Sequence, residues 1–167
     1  MIRRTVPIIL SLFLFLLVCD LNAEKASTAA GLLRGVKTVQ VDPTVVPKAD
    51  KIKEEAAPNL VRDSLKNAFR LADIQVAEEA PVRAHIVLDE FSSGSMAKRF
   101  VVGFGAGRSS ITCRLVIEDA DGKEISNTKM HVRGNLVWSP YQGNNTQRKQ
   151  AVGSLDQKLL EEIEKMK

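Results

Sequence analysis

The residues that first suggest chemistry are the glycines of residues 98–108, which read Lys-Arg-Phe-Val-Val-Gly-Phe-Gly-Ala-Gly-Arg. A phosphate-cradling loop ends in Gly-Lys-Ser/Thr or opens a helix whose N-terminus faces the phosphates. Neither feature is present here: Gly103, Gly105 and Gly107 fall on every second residue, and strand-like sequence follows. In an extended chain these glycines share one face, with Val102, Phe104 and Ala106 on the other. One side of the segment is then bare backbone, which lets another element approach closely. The pattern fits close packing within the fold or a bulged bend. It fits equally an exposed docking face flanked by Arg99 and Arg108.

Other reactive side chains are scattered. Ser92, Ser93, Ser95, Ser109 and Ser110 lie outside any Gly-x-Ser-x-Gly elbow and lack a base evident from sequence. His85 and His131 are isolated in strand-like segments, without the spacing of a metal set. Asp119-Ala120-Asp121-Gly122 opens like a calcium loop but lacks the closing Glu, so it reads as a hairpin turn. Asn144-Asn145-Thr146 has the form of a glycosylation acceptor and is set aside because the rest of the chain reads as bacterial. Cys113 alternates with aliphatic residues and reads as a core thiol. Trp138 and Tyr141 gather the chain's Trp and Tyr beside Pro140, in a loop suited to binding or a half-buried strand end. No catalytic residue, metal ligand or cofactor is assigned. The candidate binding surface is Arg99, Gly103, Gly105, Gly107, Arg108, Trp138 and Tyr141.

Arg3 and Arg4, the apolar run from Val6 to Val18, and Ala23 follow the order of a secretory signal peptide. Asp20 and Asn22 end the run short of the roughly 20 apolar residues that a membrane span requires. Leu16-Leu17-Val18-Cys19 also has the lead-in of a lipoprotein box, but Val18 is larger than the residue such a box carries there. Cleavage after Ala23 is therefore favoured over lipidation at Cys19. Both place the remainder outside the cytoplasm, in the periplasm or on the extracytoplasmic side of a membrane. Loss of Arg3, Arg4 and Asp20 takes the formal charge from +4 to +3. That mild basicity suits an anionic envelope surface and is too thinly spread for a nucleic-acid groove.

The elements that must position these residues follow from periodicity. Residues 1–23 form the signal, 24–35 a flexible lead-in rich in small residues, and 36–167 one domain. Residues 36–41 have strand composition. Val61, Leu65, Ala68, Phe69 and Ala72 recur at helical spacing after Pro58. Strands follow at 74–76, 84–91, 99–107, 110–118 and 123–138. Ile111, Cys113, Leu115 and Ile117 face one way, with Thr112, Arg114 and Glu118 the other. Val152, Leu155, Leu159, Ile163 and Met166 form the stripe of a closing helix. The expected fold is an α+β two-layer sandwich, a mostly antiparallel sheet with two amphipathic helices packed on one face.

Gly94-Ser95, Lys98-Arg99-Phe100 and Val102-Gly103-Phe104-Gly105-Ala106-Gly107, with the Asp121-Gly122-Lys123 turn, resemble the hallmark of domain of unknown function 4410. The resemblance extends from residue 36 to the C-terminus and implies a small exported bacterial protein or lipoprotein with an α/β sandwich. It brings no catalytic residues. The function expected is a non-enzymatic cell-envelope accessory domain that binds another envelope protein or component. A periplasmic hydrolase or carrier acting on lipid or cell-wall material is the alternative.

Overall fold

The computed structural model describes residues 30–52, 54–95, 108–134 and 144–167. The leader with Cys19 and Ala23 lies outside the described residues, as do Arg99, Gly103, Gly105, Gly107, Trp138 and Tyr141.

Strand β1 (Thr38–Val41) alternates, turning Val39 and Val41 into the core. The chain then runs beside the sheet through a 3-10 turn (Ala49–Lys51) into α1 (Ala57–Leu71), which begins with Pro58 in its first turn. Val61, Ser64, Leu65, Ala68 and Phe69 form its buried stripe. Asp73, at φ 58°, ends the helix in the left-handed region that short polar residues tolerate, and the Ile74 amide bonds the Phe69 carbonyl at 2.9 Å. Strand β2 (Gln75–Ala77) follows, then β3 (Arg83–Ser92), β4 (Ser110–Glu118), β5 (Glu124–Arg133) and α2 (Asn144–Met166).

The five strands lie in the order β2-β1-β3-β4-β5. β3, β4 and β5 are antiparallel, as expected, whereas β1 runs parallel to both its neighbours. The sheet is therefore mixed. The parallel pair has a physical cause: β1 and β2 are joined by a helical crossover, the kind of connection that parallel neighbours require. The β4–β5 turn is a hairpin, as the Asp-Gly pair suggests. Asp119 Oδ1 accepts from the amides of Asp121 (3.0 Å) and Lys123 (2.9 Å), and Gly122 sits at φ 77°. Asp119 thus serves the turn's own backbone.

Both helices cover the same face of the sheet. Ile111, Cys113, Leu115 and Ile117 of β4 are buried, with Ala84, Ile86 and Leu88 of β3 beside them. On α2 the buried positions are Ala151, Leu155, Leu159, Ile163 and Met166, so Ala151 takes the place expected of Val152, which is half-buried. Each large aliphatic side chain buried here contributes about 1.5–3 kcal/mol relative to exposure. A bulge between Leu88 and Glu90 breaks the alternation of β3. The extra residue, Asp89, lets both Leu88 and Phe91 point inward and leaves Asp89 and Glu90 outside.

The end of the lead-in is docked: Leu33 is buried, and its amide bonds the Met166 carbonyl at 2.7 Å. Lys167 Nζ donates to the Ala72 carbonyl at 2.9 Å, joining the C-terminal ends of the two helices. Among the described residues no helix is long and apolar enough to cross a membrane.

Candidate functional site

Among the described residues, no helix covers the second face of the sheet. Alternation assigns it Arg83, His85 and Val87 of β3, Thr112, Arg114, Val116 and Glu118 of β4, and Asn127, Lys129 and His131 of β5. Val87 and Val116 are nonetheless only 8% and 4% exposed.

Both arginines of this face that come from β3 and β4 are paired. Arg83 donates through Nε (3.0 Å) and contacts through Nη2 (2.8 Å) the same Asp42 Oδ2, while Gln40 Nε2 donates to Asp42 Oδ1 at 2.8 Å. Arg114 grips Asp89 with two bonds, Nη2 to Oδ1 at 3.1 Å and Nε to Oδ2 at 3.2 Å. His85 Nδ1 lies 3.9 Å from Glu118 Oε1. Arg133 Nε donates to His131 Nε2 at 3.0 Å, so that nitrogen is unprotonated and the ring proton sits on Nδ1. From there it is donated to Thr112 Oγ1 at 2.9 Å.

Asp42, His85 and Glu118 bring three potential ligand atoms within 4.8 Å of one another, a meeting that the sequence reading of His85 as isolated did not anticipate. The donor set is not that of an open metal site. Both Asp42 oxygens already accept hydrogen bonds, one of them from the Arg83 guanidinium.

Two hollows border the open face. The first, about 390 Å³, has a floor of Thr112, Arg114 and Lys129 and a wall made by Lys48 and Lys51 of the 3-10 turn, with Asp89 and Glu90 at its edge. The second, about 700 Å³, is lined by Asp50, Glu54, Ser92, Ser93, Ser95 and Arg108 among others. Arg108 is the one candidate binding residue from the sequence that the described residues include. It is half-buried, and among the described residues its buried Nε has no hydrogen-bond partner. Glu54 is tied to α2 by its ion pair with Arg148. The serines do not acquire a histidine base among the described residues. His85 and His131 both face the open sheet surface, engaged with Glu118 and with Thr112 and Arg133.

Cys113 lies on the opposite, buried face. Desolvation, with a smaller contribution from the Asp89 carboxylate, pushes its thiol up to about 12. Its burial agrees with its alternation with aliphatic residues.

Three comparisons bear on this arrangement. The family described as "Domain of unknown function (DUF4410)" matches residues 33–134, and the chain belongs to that family. None of the curated proteins matches it in sequence. Its fold is similar to that of two solved structures of PelC from Paraburkholderia phytofirmans, both described as dodecamers. One, a variant, has 13% identity and a TM-score of 0.52, covering 76% of this chain and 86% of the other. The second has 13% identity and a TM-score of 0.50, covering 75% and 86%.

Proposed function

We propose that this DUF4410 protein is a non-enzymatic accessory domain of the bacterial cell envelope, exported and acting outside the cytoplasm. It works by presenting its open sheet face to another macromolecule. The observation that carries this reading is the sheet face that no helix covers among the described residues. It sets ion-paired side chains of both signs beside Val87 and Val116. Fixed charges of both signs on a rigid sheet suit recognition, since they reward a complementary surface and penalise others. The leader of residues 1–23 supports the compartment: Arg3, Arg4 and the apolar run are an export address.

Self-association is a second reading, favoured by the dodecamers of similar fold. Among the described residues β2 and β5 end the sheet and no helix covers its second face, and such surfaces serve assembly. The hydrolase alternative draws on the serines of the larger hollow, but the placement of both histidines elsewhere favours binding over acyl transfer.

The test is affinity capture of the full chain from envelope extracts of its native host. Asn127, exposed and directly opposite Val116 in the sheet, is replaced by Arg. Gln157→Arg, on the exposed side of α2, is the control. The reading predicts that Asn127→Arg loses the captured partner while Gln157→Arg retains it. Equal capture by both variants refutes it, and mass photometry of the same samples decides whether the partner is a second copy.

A further inference from the structure

We propose that the groove between the 3-10 turn and the open sheet face is a binding site for an oxyanionic ligand, one carrying phosphate groups. The proposal rests on the open face being the working surface, and it is carried by two independent features.

The first is charge. The groove gathers Lys48, Lys51, Arg114 and Lys129 against Asp89 and Glu90. Asp89 is already gripped by Arg114. Lys48, Lys51 and Lys129 have no acidic partner within salt-bridge distance among the described residues. A surplus of ammonium groups held on two sides of one groove draws in a multiply charged anion from solution. Lysine acts there as a point charge and Arg114 through its remaining N–H groups, the usual division of labour toward phosphate.

The second feature is a directed chain of hydrogen bonds. Arg133 donates to His131 Nε2, and His131 Nδ1 donates to Thr112 Oγ1. Each bond fixes the direction of the next. The Thr112 oxygen is already an acceptor, so its own proton is free to be donated, and Thr112 lines the groove. The chain thus ends in a hydroxyl poised for an acceptor, between cationic side chains. The groove is rich in donors, and the ligand that complements it is rich in acceptors.

A free phosphate compound and a lipid headgroup share this chemistry, and the two arms of the experiment distinguish them.

The experiment is calorimetric titration of the purified full chain with inorganic pyrophosphate. Thr112→Val, the Lys48→Gln/Lys51→Gln pair, and Lys149→Gln as an exposed control on α2 are compared with the unaltered protein. The proposal predicts salt-sensitive binding that falls about tenfold or more in the lysine pair and severalfold in Thr112→Val, with the control unchanged. Far-UV circular dichroism verifies that each variant is folded. Absence of binding at millimolar pyrophosphate, or binding indifferent to both groove variants, overturns the proposal. Phosphatidylglycerol vesicles form the second arm. Sedimentation with the vesicles that is lost in the lysine pair identifies a lipid headgroup as the source, whereas pyrophosphate binding without sedimentation identifies a soluble one. Failure here leaves the envelope-capture result standing, so this inference and the functional reading beneath it fail separately.

Discussion

Replacing Ser64 by Ala should make the protein more stable. Ser64 lies on the buried stripe of α1, between Val61 and Leu65, and is 2% exposed. Its Oγ is buried and has no hydrogen-bond partner among the described residues. A hydroxyl so placed has lost its water and gained nothing in exchange, a cost of about 1–3 kcal/mol. Alanine also exceeds serine in helix propensity by about 0.5 kcal/mol. Against these stands the small void left by one oxygen, a fraction of the cost of a deleted methylene group. The balance favours Ala by about 1–2 kcal/mol, or a rise in Tm of about 3–6 °C for a domain of this size. Thermal and urea melts followed by far-UV circular dichroism measure it, with an unchanged m-value showing that the unfolded state is not the cause. A drop in stability would mean that the hydroxyl has a partner, and the account of the α1 stripe as a purely packed surface would be wrong.

Two glycines should respond in opposite directions. Gly153 sits exposed in α2 with nothing within 4 Å of an added Cβ, so Gly153→Ala should stabilise by about 1 kcal/mol in a urea melt. Gly122 has equal space but φ 77°, so Gly122→Ala should destabilise by about 1 kcal/mol, measured the same way. Cys113 should resist a thiol reagent under native conditions, reacting only after unfolding; rapid labelling would contradict its burial. The same thiol sets an alkaline dependence. In the unfolded chain it ionises near pH about 8.5, whereas in the fold it stays neutral up to about 12. Its contribution is therefore complete below the lower value and lost as pH rises toward the upper one. Cys113→Ala should show a shallower loss of stability over that window in pH-dependent urea melts, and an unchanged slope would contradict the assignment.

Much of the fold was legible because two periodicities carry it. The alternation of residues 110–118 identified the inward face of β4, and the helical spacing of Val61, Leu65, Ala68 and Phe69 identified the stripe of α1. The Asp121-Gly122 turn placed the β4–β5 hairpin. What was not legible depends on distant pairing. That β1 lies between β2 and β3, parallel to both, is decided by how the α1 crossover packs, which no local pattern encodes. The bulge at Asp89 turns Glu90 outward and Phe91 inward, the reverse of strict alternation, and the Arg114–Asp89 grip depends on the pairing of β3 with β4. His85 looked isolated because its neighbours Asp42 and Glu118 lie 43 residues before and 33 after it in the chain. The charged groove stayed hidden for the same reason: Lys48 and Lys51 face Lys129 only once the 3-10 turn folds over the sheet.

Site-specific photo-crosslinking in the native host tests the central claim most directly. A photoreactive amino acid is placed at Asn127 on the open sheet face and, separately, at Gln157 on the helical face, both exposed positions. Irradiation of intact cells is followed by recovery of the protein from the envelope fraction. The account predicts a discrete adduct from position 127 and none from position 157. An adduct from 157 alone, or no adduct from 127 with the protein present and folded in the envelope, would contradict it.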